Sequence, residues 1–169
     1  GLEDEAVEQA CREAEGVVLP VNYNCPGQLV IAGERQAVDA AAERCRAAGA
    51  RRIMPLAVSG AFHTPLMQAA AAQLREFAEG ISFGAPEIPV YTNLTGGRLL
   101  PDNLPVHLEK HMISPVRWTV LLRTAIQDGF TTGCEIGPGK TLTGFARKIA
   151  KGFRAVPVET AEQAEAASV

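Results

Sequence analysis

The chain has 169 residues, 47 % of them hydrophobic and 21 % charged, with a net charge of −3. That length and balance suit one core-bearing domain, or one and a fragment. They exclude extensive disorder and a wholly basic nucleic-acid surface, and no apolar run is long enough to span a membrane.

The chain opens at Gly1 and runs directly into Leu2-Glu3-Asp4-Glu5, without a signal-peptide pattern. It reads as though cut from something longer. Cys11, Cys25, Cys45 and Cys134 form no CxxC pair and fit no zinc spacing. Buried free thiols, a reducing cytoplasmic setting and no bound metal are the expectation.

Residues 3–15 read as a helix stopped by Gly16. Val17 to Tyr23 reads as a strand, Asn24-Cys25-Pro26-Gly27 as a turn, and Gln28 to Ala32 as a second strand. Residues 34–48 form an Ala-rich helix ended by Gly49, and Ile53 to Val58 is extended. This order matches a split βαβ, ferredoxin-like unit that lacks its first strand.

Thr64-Pro65 opens the next helix, with Thr as cap and Pro at the first helical position, and Gly80 ends it. Ile88 to Leu94 reads as a strand before a Thr95-Gly96-Gly97 turn. A short helix covers 105–112, and Ser114-Pro115 opens another that stops at Gly129. Thr131 to Ile136 is a strand, Gly137-Pro138-Gly139-Lys140 turns into a helix, and Phe153 to Val158 is a last strand. Residues 160–169 read as a frayed tail. Strands alternating with helices imply an α/β layer with parallel strands.

Three histidines and one loop carry the chemical candidates. His63 follows the extended stretch and Ser59-Gly60-Ala61, just before the Thr64-Pro65 helix start. A histidine at the C-terminal edge of a strand sits where open α/β sheets place ligands, although position alone favours a histidine that merely fills a strand-to-helix corner. His107 and His111 have the i, i+4 spacing of a metal pair, but Leu108-Glu109-Lys110 between them breaks the HExxH pattern. Solvated or capping histidines are the expected reading. Gly137 to Thr141 resembles a phosphate loop, yet GxxxxGK[ST] needs glycine where Cys134 stands, so a tight strand-to-helix turn is expected. Arg51-Arg52 and Arg147-Lys148 with Lys151 are solvated basic clusters, or meet a phosphate-bearing ligand or an acidic partner. No GxSxG occurs, so a candidate base stands without a nucleophile.

The block Val58-Ser59-Gly60-Ala61-Phe62-His63-Thr64-Pro65-Leu66-Met67 resembles the acyltransferase family that includes malonyl-CoA:acyl-carrier-protein transacylase. Blocks at Val21 to Gln28, Ile31 to Gly33, Phe83 to Pro89, Asn93 to Thr95, Ser114 to Trp118 and Glu135 to Lys140 agree in order and spacing. The match covers nearly the whole chain.

The resemblance implies malonyl transfer from malonyl-CoA to the phosphopantetheine thiol of acyl carrier protein. A serine on a GHSxG elbow is acylated with the help of a histidine, and His63 falls on that histidine. His111, where many relatives have glutamine, falls on the residue whose backbone carbonyl orients it. Phe62 falls beside the acyl pocket, where its volume selects malonyl over methylmalonyl. Asn22 and Asn24 fall on the cleft side of the small subdomain. Arg51 and Arg52 match positions that meet the carrier protein or coenzyme phosphates.

By the same resemblance, residues 1–57 are the incomplete ferredoxin-like small subdomain. Residues 58–159 are the C-terminal part of an α/β-hydrolase-like large subdomain, and 160–169 are the tail. The family's N-terminal half, with its serine, is absent from this sequence and would be a further partner. Malonyl-CoA is a substrate, no cofactor is bound permanently, and the chain alone is expected to be inactive. The rival readings are the matching part of a polyketide-synthase acyltransferase domain and a non-catalytic module that binds carrier protein.

Overall fold

The computed structural model describes residues 1–100 and 102–167. Helix α1 (Asp4–Arg12) is followed by an antiparallel hairpin of β1 (Val18–Cys25) and β2 (Gln28–Gly33), and then by α2 (Arg35–Ala47). Residues Cys11, Val18, Ala37 and Ala41 form the core between the two helices and the hairpin, with Ala14, Ile31 and Val38 packed against it. Small residues at these helical positions let the two helices approach one face of the hairpin closely. Gly33 is obligatory at the exit of β2. A Cβ there would lie 1.9 Å from the Val17 carbonyl oxygen, which accepts the Glu34 N–H at 2.7 Å.

The stretch Ile53 to Val58, expected to be extended, joins no ladder among the described residues. A strand is defined by its partner, and none lies beside it; Met54, Leu56 and Val58 are all more than half exposed. A 3-10 turn (Pro65–Met67) leads into α3 (Gln68–Glu79). Tyr91–Thr92 (β3) and Gly97–Arg98 (β4) pair across the Thr95-Gly96 turn, so the strand expected over 88–94 shrinks to two paired residues.

Helix α4 (Leu104–Met112) starts from Asn103, whose Oδ1 accepts the Val106 N–H at 3.1 Å. It packs on α3, and Glu109 accepts from Gln68 Nε2 and Arg75 Nη1, each at 3.2 Å. The next helix, α5 (Trp118–Gln127), does not open at Ser114-Pro115 as expected. Residues before it run beside β1 instead. Val116 donates to the Val21 carbonyl at 2.8 Å and accepts from the Tyr23 N–H at 2.9 Å, a parallel bridge across Asn22. Thr119 Oγ1 adds a bond to the Tyr23 carbonyl at 3.1 Å.

The last unit is α/β with a parallel pair. Strand β5 (Thr132–Ile136) leads through α6 (Thr141–Ile149) to β6 (Arg154–Val158), which lies parallel to it. Cys11, Cys25 and Cys45 are buried free thiols as expected, but Cys134 is exposed on β5. Burial pushes the Cys11 thiol up to about 11 and raises those of Cys25 and Cys45. The expected tail contains a short helix, α7 (Ala161–Ala167), while its last residues, 168 and 169, lie outside the described residues.

Candidate active site

His63 is placed by its backbone before its side chain does anything. It has φ 63°, and is the one non-glycine residue with positive φ among those described. Left-handed backbone costs an L-residue roughly 1–2 kcal/mol, so neighbouring bonds must hold it. Three do. The His63 N–H donates to the Met112 carbonyl at 3.1 Å. The following Thr64 is fully buried, and its Oγ1 donates to the Ala61 carbonyl at 2.6 Å. The same oxygen accepts the Leu66 N–H at 3.3 Å, capping the Pro65–Met67 turn.

The side chain is fixed from the same helix end. His63 Nδ1 lies 3.2 Å from the carbonyl oxygen of His111. A carbonyl only accepts, so this contact requires the proton on Nδ1 and leaves the Nε2 lone pair bare. A half-buried imidazole in that tautomer can accept a proton at Nε2 and give it back.

His107 and His111 correct their expected reading. They are half-buried on α4 rather than solvated, and the Nε2 of each is enclosed without a hydrogen-bond partner. Their rings continue from His63. The His63 and His111 centroids are 6.1 Å apart, and those of His111 and His107 are 6.3 Å apart. Burial first, then His63 and His107, hold the His111 imidazolium below the usual histidine range. No cluster of three or more metal-ligating side chains occurs among the described residues.

The segment 111–116 gathers the other candidates. Its carbonyls at 111 and 112 hold His63, and its Val116 lies beside Asn22 on β1. Asn22 and Asn24, both half-buried, thus belong to the strand tied to the segment that clamps His63. Phe62 is 45 % exposed, and its ring edge folds back towards Gly60, where a Cβ would meet Phe62 Cζ at 3.6 Å and Met67 Sδ at 3.7 Å. Arg51 and Arg52 are exposed beyond α2 and make no ion pair among the described residues. No hydrogen bond joins them to the His63 turn; Arg52 Nη2 lies 3.2 Å from Met54 Sδ.

Reasoning from sequence missed the Met112 carbonyl, the buried Thr64 hydroxyl and the burial of His107. Only Thr64 left a signal, as the cap of a Thr-Pro helix start. The loop at Gly137 to Thr141 is a turn, as expected, and its helix N-terminus is already filled. Glu135 accepts the N–H groups of Leu142 at 2.9 Å and Thr143 at 2.7 Å. An internal carboxylate holds the place where a phosphate would sit.

Comparison with known proteins gives one consistent result. The model of a family described as acyl transferase domain matches residues 1–167. The chain is 42 % identical over 161 residues to malonyl CoA-acyl carrier protein transacylase of Haemophilus influenzae, covering 94 % of this chain and 52 % of that protein. The Bacillus subtilis protein of the same name is 34 % identical over 171 residues, covering 99 % and 54 %. The crystal structure of malonyl-CoA:acyl carrier protein transacylase from Xanthomonas oryzae pv. oryzae superposes with a TM-score of 0.94 at 39 % identity, covering 99 % and 54 %. A structure of a type II PKS acyl-carrier protein in complex with its malonyl-transacylase gives 0.93 at 40 % identity, covering 98 % and 55 %. The chain spans about half the length of the curated relatives it matches.

Proposed function

The chain belongs to the acyl transferase domain family, and we propose that it is the C-terminal portion of a malonyl-CoA:acyl-carrier-protein transacylase. The observation that carries this reading is the clamp on His63, with Nδ1 against the His111 carbonyl and Nε2 free to accept a proton. The likeness to malonyl-transacylases over nearly the whole chain supports it.

In this reading the nucleophile is a serine on the family's N-terminal half. Its Oγ attacks the thioester carbonyl of malonyl-CoA while its proton passes to His63 Nε2. The carbon–sulfur bond breaks, and the leaving coenzyme A thiolate takes that proton from His63. The phosphopantetheine thiol of acyl carrier protein then gives its proton to Nε2 and attacks the acyl-serine. Serine leaves and recovers the proton. The His111 carbonyl keeps the ring oriented and stabilises the imidazolium formed twice per cycle. Phe62 narrows the acyl pocket, Asn22 and Asn24 face the cleft, and Arg51 with Arg52 meets carrier-protein or coenzyme phosphates. No permanently bound cofactor takes part.

The hairpin with α1 and α2 corresponds to the small, ferredoxin-like subdomain, residues 1–57 without its first strand. Residues 58–159 correspond to part of an α/β-hydrolase-like subdomain. With no serine elbow in the sequence, the isolated chain carries out no turnover. Intact mass before and after malonyl-CoA tests this. The expected result is the chain mass with no adduct, and a malonyl adduct only when the serine-bearing half is supplied. An adduct on the chain alone overturns the assignment of roles.

A further inference from the structure

The imidazoles of His111 and His107 continue in a row from His63, and neither of these two rings has a part in the reaction as described above. His107 and His111 stand one turn apart on α4, which puts their rings on one side of the helix. Both Nε2 atoms are enclosed and unpartnered. Among the described residues no carboxylate acts on His111 to balance a positive charge there. Glu109, the acidic residue of α4, is engaged by Gln68 and Arg75 of α3. Lys110 is exposed. The charges that act on His111 are those of His63, from the turn before α3, and His107, from its own helix. Its place in the last turn of α4 favours a cation, yet the net direction is towards the neutral ring, because burial opposes the charge. The backbone of the same turn grips His63 at both Nδ1 and N–H.

We infer that the His111 imidazole is a positioning residue for His63: uncharged, it packs between His63 and His107 and fixes the last turn of α4 against the His63 loop, and when protonated it loosens that turn. The inference rests on the reading of His63 as the base, but the packing of the rings does not.

The test is an NMR pH titration of the full chain labelled in histidine, from about pH 8 to about pH 4.5, reading three rings and the His63 amide. His111 is expected to titrate below the ordinary value of 6.5. The His63 amide, bonded to Met112, is expected to shift and lose exchange protection at the His111 midpoint. In His111→Gln, which keeps the backbone carbonyl, that step at the amide disappears. In His107→Gln the His111 midpoint rises, because one like charge is removed.

A His111 midpoint at or above 6.5, or a His63 amide indifferent to it, overturns the inference. If His111→Gln fails to fold, the wild-type titration and His107→Gln still decide. The readout needs no turnover, so its failure is separable from failure of the transacylase reading. A coupled amide in a protein whose His63 proves dispensable for transfer would overturn the base, and with it the purpose assigned to His111.

Discussion

His63 shows how a single residue stores free energy in its backbone. Its left-handed backbone is held by the Met112 carbonyl, the Thr64 hydroxyl bond to Ala61 and the capped turn that follows. Replacing it separates side chain from backbone. His63→Ala and His63→Gly both remove the imidazole and its bond to the His111 carbonyl. Only the glycine relieves the positive φ. We expect His63→Gly to be more stable than His63→Ala by about 1 kcal/mol, measured by chemical denaturation. Equal stability would mean that the loop relaxes to negative φ once the ring is gone, and that the strain belongs to the histidine. His63 was legible from its place before Thr64-Pro65 and from the resemblance. The resemblance pointed to the His111 carbonyl and Thr64 read as a cap, but the Met112 carbonyl was not legible, because a backbone carbonyl has no signature of its own in sequence.

At the scale of elements, strand β5 and helix α6 are joined by one carboxylate. Glu135 caps α6 across the Gly137–Lys140 turn by accepting from Leu142 and Thr143. Desolvation is the largest single influence and raises the Glu135 pKa, but the hydrogen bonds from Thr143, Leu142 and Thr141 together outweigh it, so the carboxyl lies below its ordinary value of 4.5. The sign follows by linkage. The unfolded chain binds more protons here between the two values, so the stabilisation is present above 4.5 and is lost as pH falls through the lower, folded value. Glu135→Ala should cost about 1 kcal/mol near neutral pH, by the usual worth of a cap. Thermal melts of the two proteins should converge in acid. A gap that stays constant with pH would assign the loss to packing instead.

Two Ser/Thr-Pro sites begin alike and end differently. Thr64-Pro65 is a cap followed by a first turn, and sequence and structure agree. Ser114-Pro115 has the same form and opens no helix, because Val116 is taken up in the bridge to Asn22. Proline disfavours helical backbone at the residue before it, so both outcomes were open locally. The neighbouring strand chose between them.

The whole molecule carries apolar surface that its own elements leave uncovered. Ile136 is 84 % exposed, Ile88 74 %, Leu100 73 % and Phe77 71 %. The parallel pair β5–β6 has no third strand among the described residues. Edges and patches of this kind promote association. The chain alone is therefore expected to self-associate with rising concentration, as read by light scattering after size-exclusion chromatography. Ile136→Lys should shift it towards monomer. A monodisperse monomer at high concentration would show that these side chains repack in solution.

The sequence by itself determined what is local or periodic. It specified the helices apart from α7 and the start of α5, the Gln28 strand and its turn, the parallel-strand unit around Gly137-Pro138-Gly139, the free thiols, and through ordered motifs the family. Cap chemistry, glycine stops and side-chain period act within a few residues, so they can be read one stretch at a time. Only the tertiary structure decided that Ile53 to Val58 pairs with no strand among the described residues, that Val116 bridges β1, and that His107 and His111 are enclosed beside His63. Those outcomes depend on groups distant in the chain, such as His63 and the carbonyl it faces, 48 positions further on. Strand pairing and burial are properties of two partners, and one stretch of sequence holds only one of them.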